Sequence, residues 1–359
     1  MHWRGASGHG AALSQLTNMA HRAARSYDAN PGKGRGQIHA ATGKSMNDLT
    51  TLQKNAAQGD AQAQVMLAFL RLTGRGLERS IPEGVRLVQA ACAQNNPNAL
   101  VLHAVLAARG VGRPKSLDDA YRCIRQAAEL GHGPARDQLK LLGERGFDRT
   151  PWSRPVRMTQ LAQAPRIFSV EGFIPKEICD WLIESARGRL RVAEVFNPSG
   201  GVMRDPARTN MVAMLELLEG DLVQQLVCRR IAIATGLPIH HQEPMNILRY
   251  LPGEEYKPHY DFIRPWAPEA QGFAAELADM GQRAATVLIY LNEEFEGGAT
   301  VFPRLNLSFR GRPGDALIFW NVSESSEPER DSLHAGAPVV RGEKWLLSQW
   351  IREKPHPLI

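Results

Sequence analysis

The chain lacks most of the features that mark membrane-spanning, exported and zinc-ribbon proteins. None of its 359 residues lie in an apolar run approaching the roughly 18 needed to cross a bilayer as a helix. The first 45 residues contain no apolar core of the kind a secretory signal requires. Cysteine is scarce. Cys92, Cys123, Cys179 and Cys228 stand far apart with no C-x-x-C pair, which excludes a zinc ribbon or a thioredoxin-type motif. Four isolated cysteines fit a reducing compartment, so a cytoplasmic location is expected. Hydrophobic residues make up 43% and charged residues 22%, values of an ordinary globular protein that exclude wholesale disorder.

Acidic residues are nearly missing from one end. Residues 1–45 carry Arg4, Arg22, Arg25, Lys33, Arg35 and Lys44 against Asp28 alone. The formal charge of +6 therefore belongs almost wholly to this segment, and the remainder is close to neutral. A neutral body argues against tight binding of a polyanion, so neither a specific nucleic acid nor a membrane is expected as partner. We read 1–45 as a disordered basic leader. Its Arg content and acid poverty also match an organellar transit peptide, and Met46 opens a natural helix start, which makes a misassigned start codon a second reading.

Residues 46–145 partly match themselves when shifted by 36: Gly74-Arg75-Gly76 falls on Gly110-Val111-Gly112, and Ala63 on Ala99. The segments AQAQVMLAFLRLTGRG, PEGVRLVQAACAQNN and LDDAYRCIRQAAELGH carry apolar residues at helical spacing. A period in the 30s with Gly turns reads as stacked helical hairpins. The stretch resembles Sel1-like repeats, relatives of the tetratricopeptide family. That resemblance implies a possible protein partner; a structural cap on the next domain is the alternative. Residues 146–165, with three prolines and little periodicity, read as a linker.

From residue 166 the pattern changes. PRIFSVEGFIPKEICDWLIESARGRL predicts a short strand, a turn at Pro175 and an amphipathic helix over 176–188. Strand-like runs follow: EPMNILRYL, YKPHYDFI, AATVLIYLN, ATVFP, LNLSFR, DALIFWN and KWLLSQWIRE, each bounded by turn residues. Many short strands with turn signals predict a sandwich or jelly roll. Segment 263–283 reads as a lid-like loop with a short helix at AAELADM.

His259-Tyr260-Asp261 sets two metal-ligand types two residues apart, which on a strand share a face. A later His would complete the two-His, one-carboxylate face of non-haem Fe(II) oxygenases. Alone, His-x-Asp is weak, and His241-Gln242-Glu243 has the same look while reading as a polar strand entrance. Context makes the difference. The blocks ILRYLPGEEYKPHYDF, GQRAATVLIYLNEEFEGGATVFP, GRPGDALIFWN and LHAGAPVVRGEKWLLSQWI resemble, in order and spacing, the catalytic domain of prolyl 4-hydroxylases among the 2-oxoglutarate- and Fe(II)-dependent dioxygenases. The resemblance spans 166–352.

It implies a double-stranded β-helix (jelly-roll) catalytic domain over 166–359, following α-helical repeat hairpins in an α+β multidomain chain. By the same resemblance His259, Asp261 and His334 are the catalytic iron ligands, and Lys344 binds the distal carboxylate of 2-oxoglutarate, a dianion that needs a paired charge when buried. Tyr250 and Tyr290 are implied cosubstrate contacts, with a core tyrosine as the alternative for either. Thr300 and the Gly297-Gly298 turn fit the EGGATVFP block, and Trp320 and Trp345 read as core or pocket-wall aromatics. Arg208-Thr209-Asn210 resembles an Arg-Thr-Ser segment near the substrate groove, with Asn210 departing from the pattern; NPSGGVMRDPA just before it reads as a mobile flap. The implied activity is hydroxylation of an unactivated C–H bond, peptidyl proline by default, with Fe(II), 2-oxoglutarate and O2 consumed to give succinate and CO2, and with ascorbate as a family expectation. A nucleic-acid demethylase is disfavoured by the neutral body, and a halogenase by Asp261. The alternative from another class is a Sel1-type scaffold carrying an inactive barrel.

Overall fold

The computed structural model describes residues 43–197, 201–204, 207–264, 266 and 272–357. The basic leader up to residue 42, and residues 198–200 and 205–206 of the NPSGGVMRDPA segment, lie outside the described residues. The chain divides into two compact units. One holds the described residues up to Arg149 together with 218–226; the other holds Thr150–Leu217 and Val227–Pro357.

The first unit is a run of helices, α1 (Gly43–Ala57), α2 (Ala61–Thr73), α3 (Ile81–Ala93), α4 (Pro97–Arg109), α5 (Leu117–Glu129) and α6 (Gly133–Leu142). The 36-residue period is written into their ends. Asp60, Asn96 and His132 cap α2, α4 and α6, each accepting from the backbone N–H three residues on. Ser80 and Ser116 do the same for α3 and α5. Gly74 and Gly110 close α2 and α4 in the left-handed conformation, with φ of 71° and 80°, which glycine adopts without a Cβ penalty. Small residues let the helices approach. Ala68, Ala91, Ala99, Ala104 and Ala107 are fully buried, and a Cβ on Gly84 would stand 2.5 Å from Leu72 Cγ.

The second unit opens with α7 (Thr150–Ser153), β1 (Thr159–Ala162), β2 (Ile167–Val170) and α8 (Lys176–Arg187). Thus part of the stretch 146–165 is no linker: β1 is the edge strand of the main sheet, antiparallel to β2. The four-residue sequence TQLA is too short and too polar to announce itself, and its pairing with β2 makes it a strand. The helix expected over 176–188 is α8, which buries Ile178, Cys179, Leu182, Ile183 and Ala186 along one stripe.

Further on come β3 (Arg191–Val192), β4 (Glu194–Asn197), β5 (Gly201–Arg204), β6 (Met211–Leu215), α9 (Leu222–Thr235), β7 (Met245–Tyr250), β8 (Tyr256–His259), α10 (Ala274–Met280) and β9 (Arg283–Tyr290). The chain ends with β10 (Phe295–Gly297), β11 (Thr300–Phe302), β12 (Leu307–Phe309), β13 (Ala316–Trp320), β14 (His334–Gly336), β15 (Val339–Gly342) and β16 (Lys344–Arg352). Eight strands form an antiparallel sheet in the order β1-β2-β13-β9-β16-β7-β6-β3, and four form a second in the order β12-β11-β14-β8. This is the double-stranded β-helix. The central strands β9 and β16 are buried along almost their whole length, which is why they read as continuous apolar runs rather than alternating ones. Leu248, Tyr250, Leu288, Phe302, Leu317, Phe319 and Leu346 belong to its core cluster. All seven strand-like runs of the sequence are strands here.

Candidate active site

Two strands of the smaller sheet bring the histidines together. β8 and β14 run antiparallel, and His334 is the direct register partner of His259; their ring centroids lie 4.3 Å apart. Asp261 arrives differently from the expectation. The ladder ends at His259, so Asp261 is not on a strand face but in the bend that follows. Its carboxylate still converges: Oδ1 lies 3.7 Å from His259 Nε2 and Oδ2 3.5 Å from His334 Nε2. One ligand atom from each residue falls within 4.8 Å of the others, a spacing that can hold a metal ion. Among the described residues this is the one such group of three.

Both imidazoles are oriented in the same way. His259 Nδ1 lies 2.8 Å from the Lys257 carbonyl and His334 Nδ1 2.9 Å from the Ser332 carbonyl. A carbonyl only accepts, so each Nδ1 carries the proton and each Nε2 offers its lone pair inward. Burial, reinforced by His334, pushes His259 down to about 3, leaving it neutral near pH 7. Burial pushes Asp261 upward, but His334, His259, the Thr286 hydrogen bond and Arg283 outweigh it and hold the carboxyl below its ordinary range. A neutral His259 and an ionised Asp261 are in the protonation states that a divalent metal takes up. Tyr256 stacks on His259 at 3.5 Å and 12°. Phe319 and Phe302 pack against His334, with centroids 4.7 and 5.7 Å away.

The same pocket runs to Lys344, the first residue of β16. Its side chain is buried and its Nζ donates to the Gly298 carbonyl at 2.6 Å. The Tyr250 and Tyr290 rings flank it at 5.0 and 5.2 Å. No carboxylate of the described residues pairs with it. Burial, with Arg310 adding to it, pushes the ammonium down to about 7. A buried cation without a counter-ion suits an anionic ligand end. Gly298 earns its place here: its φ is +64°, and a Cβ would stand 3.1 Å from Lys344 Cδ.

Tyr250 lines this pocket. Tyr290 does not. Its hydroxyl donates to the Phe309 carbonyl at 2.9 Å and accepts from the Thr300 hydroxyl and backbone N–H. The Tyr290 hydroxyl is thus bonded to β11 and β12, while its ring stands beside Lys344. Strand alternation could not reveal this, because it gives the face and not the hydroxyl's partner. Arg208 lines the pocket beside Tyr256, its guanidinium 4.9 Å from that ring. Asn210 is buried, and its Oδ1 accepts from Arg208 Nε at 3.0 Å, so the residue that departs from Arg-Thr-Ser orients the arginine. Trp320 and Trp345 lie outside the pocket lining, against Arg166 and Arg187 respectively.

Three groups behind the ligands were not legible as site residues. Thr286 donates to Asp261 Oδ2 at 2.7 Å, and Asn321 Nδ2 donates to Thr286 Oγ1 at 2.9 Å. Glu243, from the polar strand entrance, is half of a buried ionic knot: Arg283 Nε donates to it at 2.8 Å and Arg352 Nε also donates to it. Arg283 in turn donates to the Asp261 carbonyl at 3.3 Å, and Arg352 Nη2 donates to Glu276 on α10. A lone polar residue inside AATVLIYL was the one signal for Thr286.

Residues 245–352 match the family model described as the 2OG-Fe(II) oxygenase superfamily. Probable prolyl 4-hydroxylase 7 of Arabidopsis thaliana is 35% identical over 228 residues, covering 58% of this chain and 67% of its own. The crystal structure of a viral collagen prolyl hydroxylase from Paramecium Bursaria Chlorella virus-1 in complex with 2OG is 25% identical, covering 52% of this chain and 95% of that one, with a TM-score of 0.39. In the helical unit, the structure of a Sel1 repeat protein from Oxalobacter formigenes is 31% identical, covering 28% of this chain and 76% of that one, with a TM-score of 0.27.

Proposed function

From the premise that this chain belongs to the prolyl 4-hydroxylase family of 2OG-Fe(II) oxygenases, we propose that it hydroxylates proline within a peptide or protein, using His259, Asp261 and His334 to hold Fe(II) and Lys344 to hold 2-oxoglutarate. The chain is a 2-oxoglutarate-dependent dioxygenase, and its family requires Fe(II), 2-oxoglutarate and O2. The observation that carries the site assignment is the pairing in one pocket of a metal-spaced triad with a buried, unpaired ammonium. An inactive scaffold has no need of either, and an uncompensated buried cation costs stability.

When bound, the metal, cosubstrate and O2 supply the oxidising power: 2-oxoglutarate loses CO2 to become succinate, and one oxygen atom enters the substrate C–H bond. The residues of the chain do the rest. Nδ1–H bonds to the Lys257 and Ser332 carbonyls keep both Nε2 atoms aimed inward. Asp261 supplies the negative charge. Lys344 neutralises the far carboxylate of the cosubstrate, and the Tyr250 hydroxyl stands in the same pocket to donate to it. Phe302 and Phe319 keep water from His334. Arg208 and Tyr256, both half-buried at the pocket wall, form the substrate side, where a proline ring would meet an aromatic face. In this reading ascorbate supports turnover, as expected for prolyl hydroxylases, the helical hairpins bind a protein partner, and the protein acts in the cytoplasm.

The test is anaerobic addition of Fe(II) and 2-oxoglutarate to wild type and His334→Ala, followed by visible absorption. A charge-transfer band in wild type that the variant lacks supports the site. Proline-containing peptides with O2 should then gain one oxygen atom by mass. A folded wild type with no band sinks the assignment of the ligands.

A further inference from the structure

Asp261 is the sole acid of the triad, and its surroundings distinguish its two oxygens. Thr286 Oγ1 lies 2.7 Å from Oδ2, and Asn321 Nδ2 lies 2.9 Å from Thr286 Oγ1. An ionised carboxylate only accepts, and a hydroxyl has one proton to give. The direction of the chain is therefore fixed: Asn321 donates to Thr286, and Thr286 donates to Asp261. Thr286 and Asn321 are fully buried, and Asp261 nearly so. The strands hold the relay rigidly, because Thr286 sits mid-way along β9 and Asn321 directly follows β13, its antiparallel neighbour. Arg283 grips the same residue from behind, through the Asp261 carbonyl. No donor among the described residues reaches Oδ1.

We infer that Thr286, backed by Asn321, is a positioning residue that commits Asp261 Oδ2 to a hydrogen bond and leaves Oδ1 as the one oxygen for the metal. The inference rests on the reading of His259, Asp261 and His334 as metal ligands. Its consequence is a count. A carboxylate that ligates through both oxygens fills two positions and, with two imidazoles, leaves two of six. A carboxylate held to one oxygen leaves three, the number needed by a cosubstrate that chelates through two atoms and by O2 beside it. A buried strand threonine with a merely structural role would satisfy its hydroxyl on a nearby carbonyl; this one spends its proton on the ligand.

The test is titration of the full-length, metal-free protein with Co(II), an oxygen-stable substitute for Fe(II), against a competing chelator. Wild type, Thr286→Val, Thr286→Ser and Asp261→Ala are compared, with the metal-free thermal midpoint measured for each. Thr286→Val keeps the shape and removes the donor, so Co(II) affinity should fall by about 10–100-fold. Thr286→Ser keeps the hydroxyl and should restore affinity close to wild type. Should Thr286→Val not fold, Asn321→Leu takes its place, with a smaller loss expected and wild-type affinity counting against the inference. Wild-type affinity in Thr286→Val, or an equal loss in Thr286→Ser, overturns it. If wild type binds Co(II) no better than Asp261→Ala, the assignment of the ligands itself fails, and the role of Thr286 falls with it.

Discussion

Lys344 and Tyr250 face each other as register partners across the β7–β16 ladder, and the Lys344 ammonium, 5.0 Å from the Tyr250 ring, has a backbone carbonyl but, among the described residues, no carboxylate for company. The main sheet thus holds a positive charge in its interior, in the pocket that contains the histidines. Such a charge is a cost to the empty protein and a gain to the loaded one.

Replacing Lys344 by Met should therefore separate stability from function. Removing a desolvated, unpaired charge while keeping an apolar stem should stabilise the ligand-free protein, by about 1–4 kcal/mol. Affinity for 2-oxoglutarate should collapse in the same variant. Urea unfolding and isothermal titration with 2-oxoglutarate check the two halves. A destabilised variant would mean that the ammonium is already compensated.

Binding of the cosubstrate should carry a proton with it. Burial, with Arg310 adding to it, pushes Lys344 down to about 7, and a carboxylate beside it raises that value. Above pH 7 the complex must take up a proton, so 2-oxoglutarate affinity should fall as pH rises past about 7, by at most tenfold per pH unit. Calorimetry at pH 8 in two buffers of different ionisation enthalpy measures the uptake directly. Equal enthalpies in the two buffers would count against it.

Gly298 should prove specific for the same ligand. Its φ of +64° disfavours any Cβ, and the added carbon would press on Lys344 Cδ at 3.1 Å. Gly298→Ala should raise the KM for 2-oxoglutarate about tenfold or more, corresponding to roughly 1–2 kcal/mol of strain, while metal affinity stays near wild type. Steady-state kinetics with varied cosubstrate checks this.

Glu243 answers for two guanidinium groups, Arg352 fully buried and Arg283 half-buried. Glu243→Gln leaves Arg283 without its carboxylate and Arg352 with Glu276 alone, and should cost about 3–5 kcal/mol in urea unfolding. Burial pushes the Glu243 carboxyl up, but Arg283 and Arg352 overcome this and hold it below its ordinary range. Its contribution is therefore present above the ordinary carboxylate pKa and is lost as pH falls through the depressed value. Wild type should lose stability in acid more steeply than Glu243→Gln.

Much of the fold was legible because its signals are local. Apolar strands such as AATVLIYLN and KWLLSQWIRE lie in the middle of the sheet, where burial on both faces leaves no ambiguity of pattern. The 36-residue period showed through the Gly-x-Gly turns and the alanines, since every hairpin needs a glycine turn and a small contact residue at the same place. β1 escaped notice because four residues carry too little pattern to outweigh the prolines around them. Asp261 was placed on a strand face, yet β8 stops one residue after Pro258, and a bend delivers the carboxylate instead. Glu243 passed for a polar strand entrance because nothing in a sequence says which charges will meet out of water.

The sequence by itself determined the helical hairpins and the long apolar strands, the order of the four blocks and the residue types able to bind metal and dianion, because these depend on neighbours along the chain. Tertiary structure alone decided that His259 and His334 are cross-strand partners, that the Tyr290 hydroxyl belongs to Phe309 and Thr300, and that Thr286 and Asn321 stand behind Asp261. Those relations join residues up to 75 positions apart, and their geometry is set by sheet register and by the hydrogen-bond direction that burial enforces.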